Sequence, residues 1–218
     1  MSGHATAYSA NNWPLRGAKY TMWEGGCRTP ALVHGPGLGL PRGEVSSLWL
    51  HVTDWFPTIL AMAGLAPARP DQLDGLNQWP QLLEPALAGD REEMIYNIFY
   101  PVFELQPSEA GPIAAIRRGD WKYIRRTVGW AGWTPCPPEA CSNYTVTPGV
   151  DDVQDVLYNL AEDPSETVDL AMAEPGVAAD LRMRLEEEIA ALPPGYYPAE
   201  DTAGDPANFG GVWSDGWC

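Results

Sequence analysis

The chain has 218 residues, 45% of them apolar and 19% charged, enough for one large domain or two small ones with a sizeable core. Its 22 Gly and 22 Pro call for many turns, and the mixture with ten Trp excludes collagen, coiled coil and wholesale disorder. A net charge of −16, concentrated in residues 151–218 with two basic against 16 acidic side chains, repels phosphate backbones and anionic membrane surfaces.

In chain order, residues 1–18 read as a polar loop. Met1-Ser-Gly-His-Ala-Thr6 has neither the basic region nor the apolar stretch of a signal peptide, and no later run reaches the length of a membrane span. Thr29-Pro-Ala-Leu-Val-His34, ended by Gly35-Pro36-Gly37, predicts a buried strand. Trp55/Phe56, Ile59/Leu60 and Met62/Ala63 recur at helical spacing, which predicts a helix over about 54–64, with Thr53 or Asp54 as its cap and Gly64 as its stop. Residues 65–93 read as a long connection.

Beyond them the pattern predicts strands at Met94–Tyr100, Ile113–Arg118, Trp121–Arg126 and Val156–Leu160, with Gly119-Asp120 as a two-residue hairpin turn. A helix follows over about 174–191, with Leu181, Leu185, Ile189 and Leu192 on one face. The order is that of an α+β C-terminal region attached to the end of something larger. Two domains are expected: residues 1–93 as the end of an α/β domain, and 94–218 as an antiparallel-sheet subdomain with one packed helix.

Four cysteines are too few for a disulfide scaffold. Cys136 and Cys141, close together in a Pro-rich loop, are spaced to bridge, and Asn143-Tyr144-Thr145 is a glycosylation acceptor pattern. Both features suit the secretory pathway. Lys19 is one of two lysines against eleven arginines, a compact point charge suited to an anionic oxygen, although its position alone favours a solvated surface lysine. Lys122, in a predicted hairpin strand, is expected to tolerate replacement and to serve as the control for Lys19. Arg16 reads as a salt-bridge or loop-closing residue. Glu24-Gly25-Gly26 either presents a carboxylate or backbone amides or makes a tight turn. His4, His34 and His51 share no spacing that would hold a metal, and Asp151-Asp152 and Glu186-Glu-Glu188 read as solvated faces. From the residues alone no complete catalytic constellation emerges.

Asn11-Asn-Trp-Pro-Leu-Arg-Gly-Ala-Lys-Tyr-Thr-Met-Trp-Glu-Gly-Gly26 closely resembles a signature of the type I sulfatases, and within them looks most like the arylsulfatase B group. Thr53–Thr58, Leu73-Asp-Gly75, Ala114–Arg117 with Trp121-Lys122, Leu157–Pro164, Val168-Asp169-Leu170 and Gly210–Trp213 follow in the family's order. The resemblance implies the C-terminal part of an alkaline-phosphatase-like α/β fold: the end of the large domain plus the smaller antiparallel subdomain. It also implies hydrolysis of sulfate esters of sugars or aryl alcohols by a formylglycine made from Cys-x-Pro-x-Arg beside a calcium ion, in a lysosomal or extracellular enzyme.

Neither Cys27-Arg-Thr-Pro-Ala31 nor Cys136-Pro-Pro-Glu-Ala140 completes that nucleophile motif. The family's calcium-ligand positions fall on Met1, Ser2 and Gly3, of which only the glycine matches, so no metal ligand is expected in this chain and the chain alone is expected to be inactive. Lys19 matches the lysine that contacts the substrate sulfate. A non-catalytic module that binds a sulfated glycan or a partner subunit is the alternative reading.

Overall fold

In the computed structural model, residues 11–19, 21–99, 111–127, 154–192 and 201–213 are described. They contain four helices, α1 (Glu24–Cys27), α2 (Trp55–Met62), α3 (Trp79–Leu83) and α4 (Pro175–Ala191), and four strands, β1 (Glu93–Phe99), β2 (Ile113–Arg118), β3 (Trp121–Arg125) and β4 (Val156–Asn159). The chain divides into two compact units, Met1–Glu186 and Glu187–Cys218. In the second, Asp201 and Asp205 each cap a short 3-10 turn by accepting from the backbone N–H groups of Ala203 and Ala207.

The strands form one antiparallel meander in the order β1-β2-β3-β4. The short loop at Gly119-Asp120 sets the β2–β3 register, in which Arg118 faces Trp121 and Ile116 faces Tyr123. One face carries Ala115, Ile124, Val156 and Tyr158, which form the core together with Trp23 and Leu160. The other carries Ala114, Ile116, Tyr123 and Leu157, all buried as well. A sheet buried on both faces explains why its strands lack the apolar–polar alternation of a half-exposed one. Leu181 and Leu185 are the buried residues of α4, and Arg184 pairs with Glu93 at 3.0 Å to tie the helix to β1.

Register breaks once. Ile95 faces Ile116 and Asn97 faces Ala115, so Tyr96 has no partner and sits in a β-bulge. Bulges re-aim the side chain they carry. Tyr96 uses this to reach the ammonium group of Lys122, which lies 4.4 Å from the centre of its ring.

Two expectations are corrected. Residues 29–34 are not a strand, and Leu32 is 86% exposed. An extended run becomes a strand only where a neighbour accepts and donates its backbone hydrogen bonds, and none does here among the described residues. The second correction concerns Asp54, whose side chain does not cap α2. It is fully buried and accepts from Leu76 N–H (2.7 Å), His51 N–H (2.8 Å) and Arg91 Nε (2.9 Å), and it is ion-paired with Arg91. Within residues 65–93 the structure also places α3 and a 3-10 turn at Pro70–Gln72. The Leu73-Asp-Gly75 turn packs directly on the start of α2, where a Cβ on Gly75 would overlap the Thr53 carbonyl. One carboxylate therefore joins the helix entry, the 73–76 turn and the lead-in to β1.

Burial alone would raise the Asp54 carboxyl, but the Arg91 hydrogen bonds and charge and the two backbone donors outweigh it and hold it below the ordinary carboxylate range. Stability from this group is therefore full above the unfolded value near 3.8 and is lost as pH falls through the lower folded value. Asp54→Asn is expected to cost about 3 kcal/mol of unfolding free energy at about pH 7, with the gap to wild type narrowing toward about pH 3. Urea denaturation at both pH values checks this; a gap that does not change with pH would refute it.

Candidate functional site

The Asn11–Cys27 segment has little regular structure, and its shape comes from close backbone approach. Gly25 N–H donates to Arg16 O at 2.7 Å. A Cβ on Gly25 would lie 2.6 Å from the Arg16 and Gly17 carbonyl oxygens, and one on Gly26 would lie 2.5 Å from those of Ala18 and Thr21. The Glu24-Gly-Gly26 run is thus a packing requirement, and α1 is the single helical turn that it permits. A tight turn at Ala18–Thr21 is closed by Thr21 N–H to Ala18 O (3.0 Å) and Thr21 Oγ1 to Ala18 O (2.7 Å). Lys19 sits on this turn, exposed, while Ala18 and Thr21 on either side are buried.

Both stems of the turn are fastened to the sheet. On one side the Arg16 guanidinium donates to the Tyr158 hydroxyl (3.1 Å) and the Glu166 carbonyl (2.9 Å) and stacks 3.9 Å over the Trp23 ring. Trp23 in turn meets Tyr158 edge-on at 5.5 Å. Arg16 is therefore the loop-closing residue that the sequence suggests.

On the other side, Glu24 is 3% exposed and its Oε1 lies 2.8 Å from Lys122 Nζ. Lys122 is fully buried and also pairs with Glu166 Oε1 at 2.8 Å, while Glu24 N–H donates to Glu166 Oε2 at 2.6 Å. The Tyr96 hydroxyl donates to Glu24 Oε1 at 2.8 Å. One ammonium thus holds two carboxylates that lie 142 residues apart in the chain.

The two carboxyls respond differently. Burial raises both, but for Glu24 the Lys122 charge with hydrogen bonds from Lys122 and Tyr96 prevails, and its carboxyl lies below the usual value. For Glu166 burial prevails over Lys122, and its carboxyl is raised. Glu166 also has φ 56, a left-handed conformation that costs a non-glycine residue roughly 1 kcal/mol or more and that persists only under strong surrounding constraint. Here the constraint is its pairing with Lys122 and the two bonds to Glu24 and Arg16. Nearby, burial pushes the Cys27 thiol up to about 11, and its Sγ donates to Thr21 O at 3.4 Å.

Lys122 is consequently no bland control for Lys19. The sequence signal for it was its place two residues before Ile124 on the same strand face, a face that is otherwise core. Glu166 carried no signal, because its role depends on a contact between distant segments. Of the other candidates, His34 lies in exposed coil, and His51 opens a capping box at Val52–Asp54. Glu186 pairs with Arg182 on the solvated side of α4. Cys136, Cys141, Asn143, His4 and Asp151-Asp152 lie outside the described residues, as do Met1, Ser2 and Gly3. Among the described residues no three His, Cys, Asp or Glu side chains are grouped to hold a metal ion, so these residues do not fit a calcium site.

No protein-family model matches the chain. It is 33% identical to arylsulfatase J of Mus musculus over 231 residues, which cover 97% of this chain and 37% of that protein. It is 31% identical to N-acetylgalactosamine-6-sulfatase of Homo sapiens over 173 residues (78% and 31%) and 31% identical to human arylsulfatase A over 177 (79% and 32%). The chain spans about a third of the length of these relatives. Among solved structures, Ps i-CgsB in complex with k-i-k-neocarrahexaose matches with TM-score 0.59 and 26% identity, covering 83% of this chain and 33% of that one. The PsFucS1 sulfatase from Pseudoalteromonas sp. matches in fold with TM-score 0.53 over 81% of this chain and 32% of that one.

The architecture is thus a partial, C-terminal-like piece of the alkaline-phosphatase-like fold: the described four-stranded antiparallel sheet with its helices. The likenesses show a type I sulfatase family relationship, one that extends across several sulfatases and is not confined to arylsulfatase B.

Removing Lys122 would leave two buried carboxylates without their cation. Lys122→Met is expected to lower the unfolding free energy by about 3–5 kcal/mol, whereas a solvated strand lysine would cost under about 1 kcal/mol. Denaturant titration of wild type and variant decides between these values.

Proposed function

We propose that this chain is the C-terminal portion of a sulfatase that hydrolyses sulfate esters of sugars or aryl alcohols, with an Asn11–Gly26 loop that resembles the arylsulfatase B group. Lys19 contacts the substrate sulfate. The observation that carries this reading is the exposed Lys19 on a turn whose two stems are buried and fastened, with the relatives' sulfatase identity giving that cation its partner. A cation fixed in advance where negative charge develops stabilises a transition state without reorganising, and a lysine does so as a compact point charge.

In this reading the nucleophile and the calcium site of the complete enzyme lie in the part of the fold outside this chain. Residues 1–93 are the end of the α/β domain and 94–218 the small subdomain. The exposed Val52, Phe56 and Ile59 of the α2 region then face the remainder of the large domain. A Cys136–Cys141 disulfide, glycosylation at Asn143 and a lysosomal or extracellular location complete the proposal.

In a full-length sulfatase carrying this segment, Lys19→Ala is expected to lower turnover about a hundredfold, equivalent to about 3 kcal/mol, and Lys19→Arg to recover little of it. Arg42→Ala, an exposed coil cation, should leave turnover unchanged. Kinetics on a chromogenic sulfate ester test this. Equal activity of the Lys19 and Arg42 variants would return Lys19 to the status of a surface charge.

A further inference from the structure

The Lys19 turn lies between two anchors of different kinds. Arg16 grips Tyr158 and the Glu166 backbone from one side, through bonds that are only partly buried. Glu24 enters the fully buried assembly of Lys122, Tyr96 and Glu166 from the other. Seven residues lie between Arg16 and Glu24, and Gly17, Ala18, Thr21 and Trp23 among them are buried while Lys19 is exposed. A buried ion pair is poor value for stability by comparison with apolar packing, since desolvation offsets most of its attraction. What it supplies is directional constraint: an ammonium at 2.8 Å from two carboxylates admits one arrangement of the segments that bear them.

The bulge strengthens this argument. A regular β1 ladder would keep Tyr96 in register with the residues of β2; the break at this one position instead brings its hydroxyl to Glu24 Oε1 and its ring over Lys122. Three separate features, a bulge at Tyr96, a left-handed Glu166 and a buried Lys122, converge on the Glu24 carboxylate and backbone.

We propose that Lys122, Tyr96 and Glu166 are positioning residues for the sulfate-contacting Lys19, acting through Glu24 by fixing the C-terminal stem of its turn. This rests on the reading of Lys19 given above. Misplacing a catalytic charge by a fraction of an ångström lowers its contribution to the transition state while leaving the fold intact.

The test is a double-mutant cycle in a full-length sulfatase carrying this segment, using Tyr96→Phe and Lys19→Ala. Tyr96→Phe removes a single hydroxyl from Glu24 and keeps the ring over Lys122, so it is the milder variant beside Lys122→Met. In the wild-type background Tyr96→Phe is expected to lower kcat about fivefold; in the Lys19→Ala background the same change should lower it by less than about twofold. Hydrogen exchange at the Gly25 and Gly26 amides and at the β3 amides should speed by one common factor, since the loop and the sheet open together. If Tyr96→Phe lowers kcat by the same factor in both backgrounds, or not at all in the first, positioning is overturned while the sulfate contact stands. If Lys19→Ala alone leaves kcat unchanged, the sulfate contact falls and this inference falls with it.

Discussion

A single buried ammonium organises this molecule. Lys122 sits beside the core residues Ile124 and Tyr158 on one face of the sheet, fully out of solvent, and is paired there with Glu24 and Glu166. An uncompensated charge in such a place would cost several kcal/mol, so the segments bearing the two carboxylates have no freedom to dock elsewhere. That requirement brings the 11–28 loop and the 163–170 turn onto the same patch of β3 and β4. Trp23 and Arg16 then complete the cover, the indole as core and the guanidinium as its lid.

Asp54 plays a parallel part farther along. It gathers the start of α2, the 73–76 turn and Arg91 in one set of bonds, so that the irregular stretch leading to β1 is held by a charge pair where it lacks secondary structure. In both places a long loop-rich chain is pinned by buried charge at a few points. A sequence with a fifth of its residues as Gly and Pro has few continuous helices and strands to do that work. The pins lie at segments that carry the family resemblance: Glu24 within the first, Asp54 in the second and Lys122 in the hairpin.

The sheet, its hairpin and α4 were legible in the sequence because their signals are local: β-branched and aromatic runs, a Gly-Asp turn, and leucines at helical spacing. Thr29–His34 misled because strand propensity says nothing about whether a partner strand is present. Asp54 misled because a carboxylate before a helix is ordinarily its cap, and only the fold could show Arg91 and Leu76 competing for it. Lys19 was singled out by its scarcity and its loop, and the structure places it exposed on a turn. The assembly beneath that turn was invisible, since Glu24 and Glu166 meet across 142 residues and a bulge at Tyr96 leaves no mark in the sequence of a seven-residue strand.

The central claim is that the loop carrying Lys19 and the sheet beneath it are one cooperative unit joined through Lys122. Native-state hydrogen exchange measures this directly, because amides in one unit open with one free energy. The amides of Gly25, Gly26 and Arg28, bonded to Arg16, Trp23 and Glu24 carbonyls, are the reporters for the loop, and those of β3 are the reporters for the sheet. The account predicts that both sets exchange with the same opening free energy and the same denaturant dependence. Loop amides that exchange through a separate opening, with much lower free energy and little denaturant dependence, would contradict it.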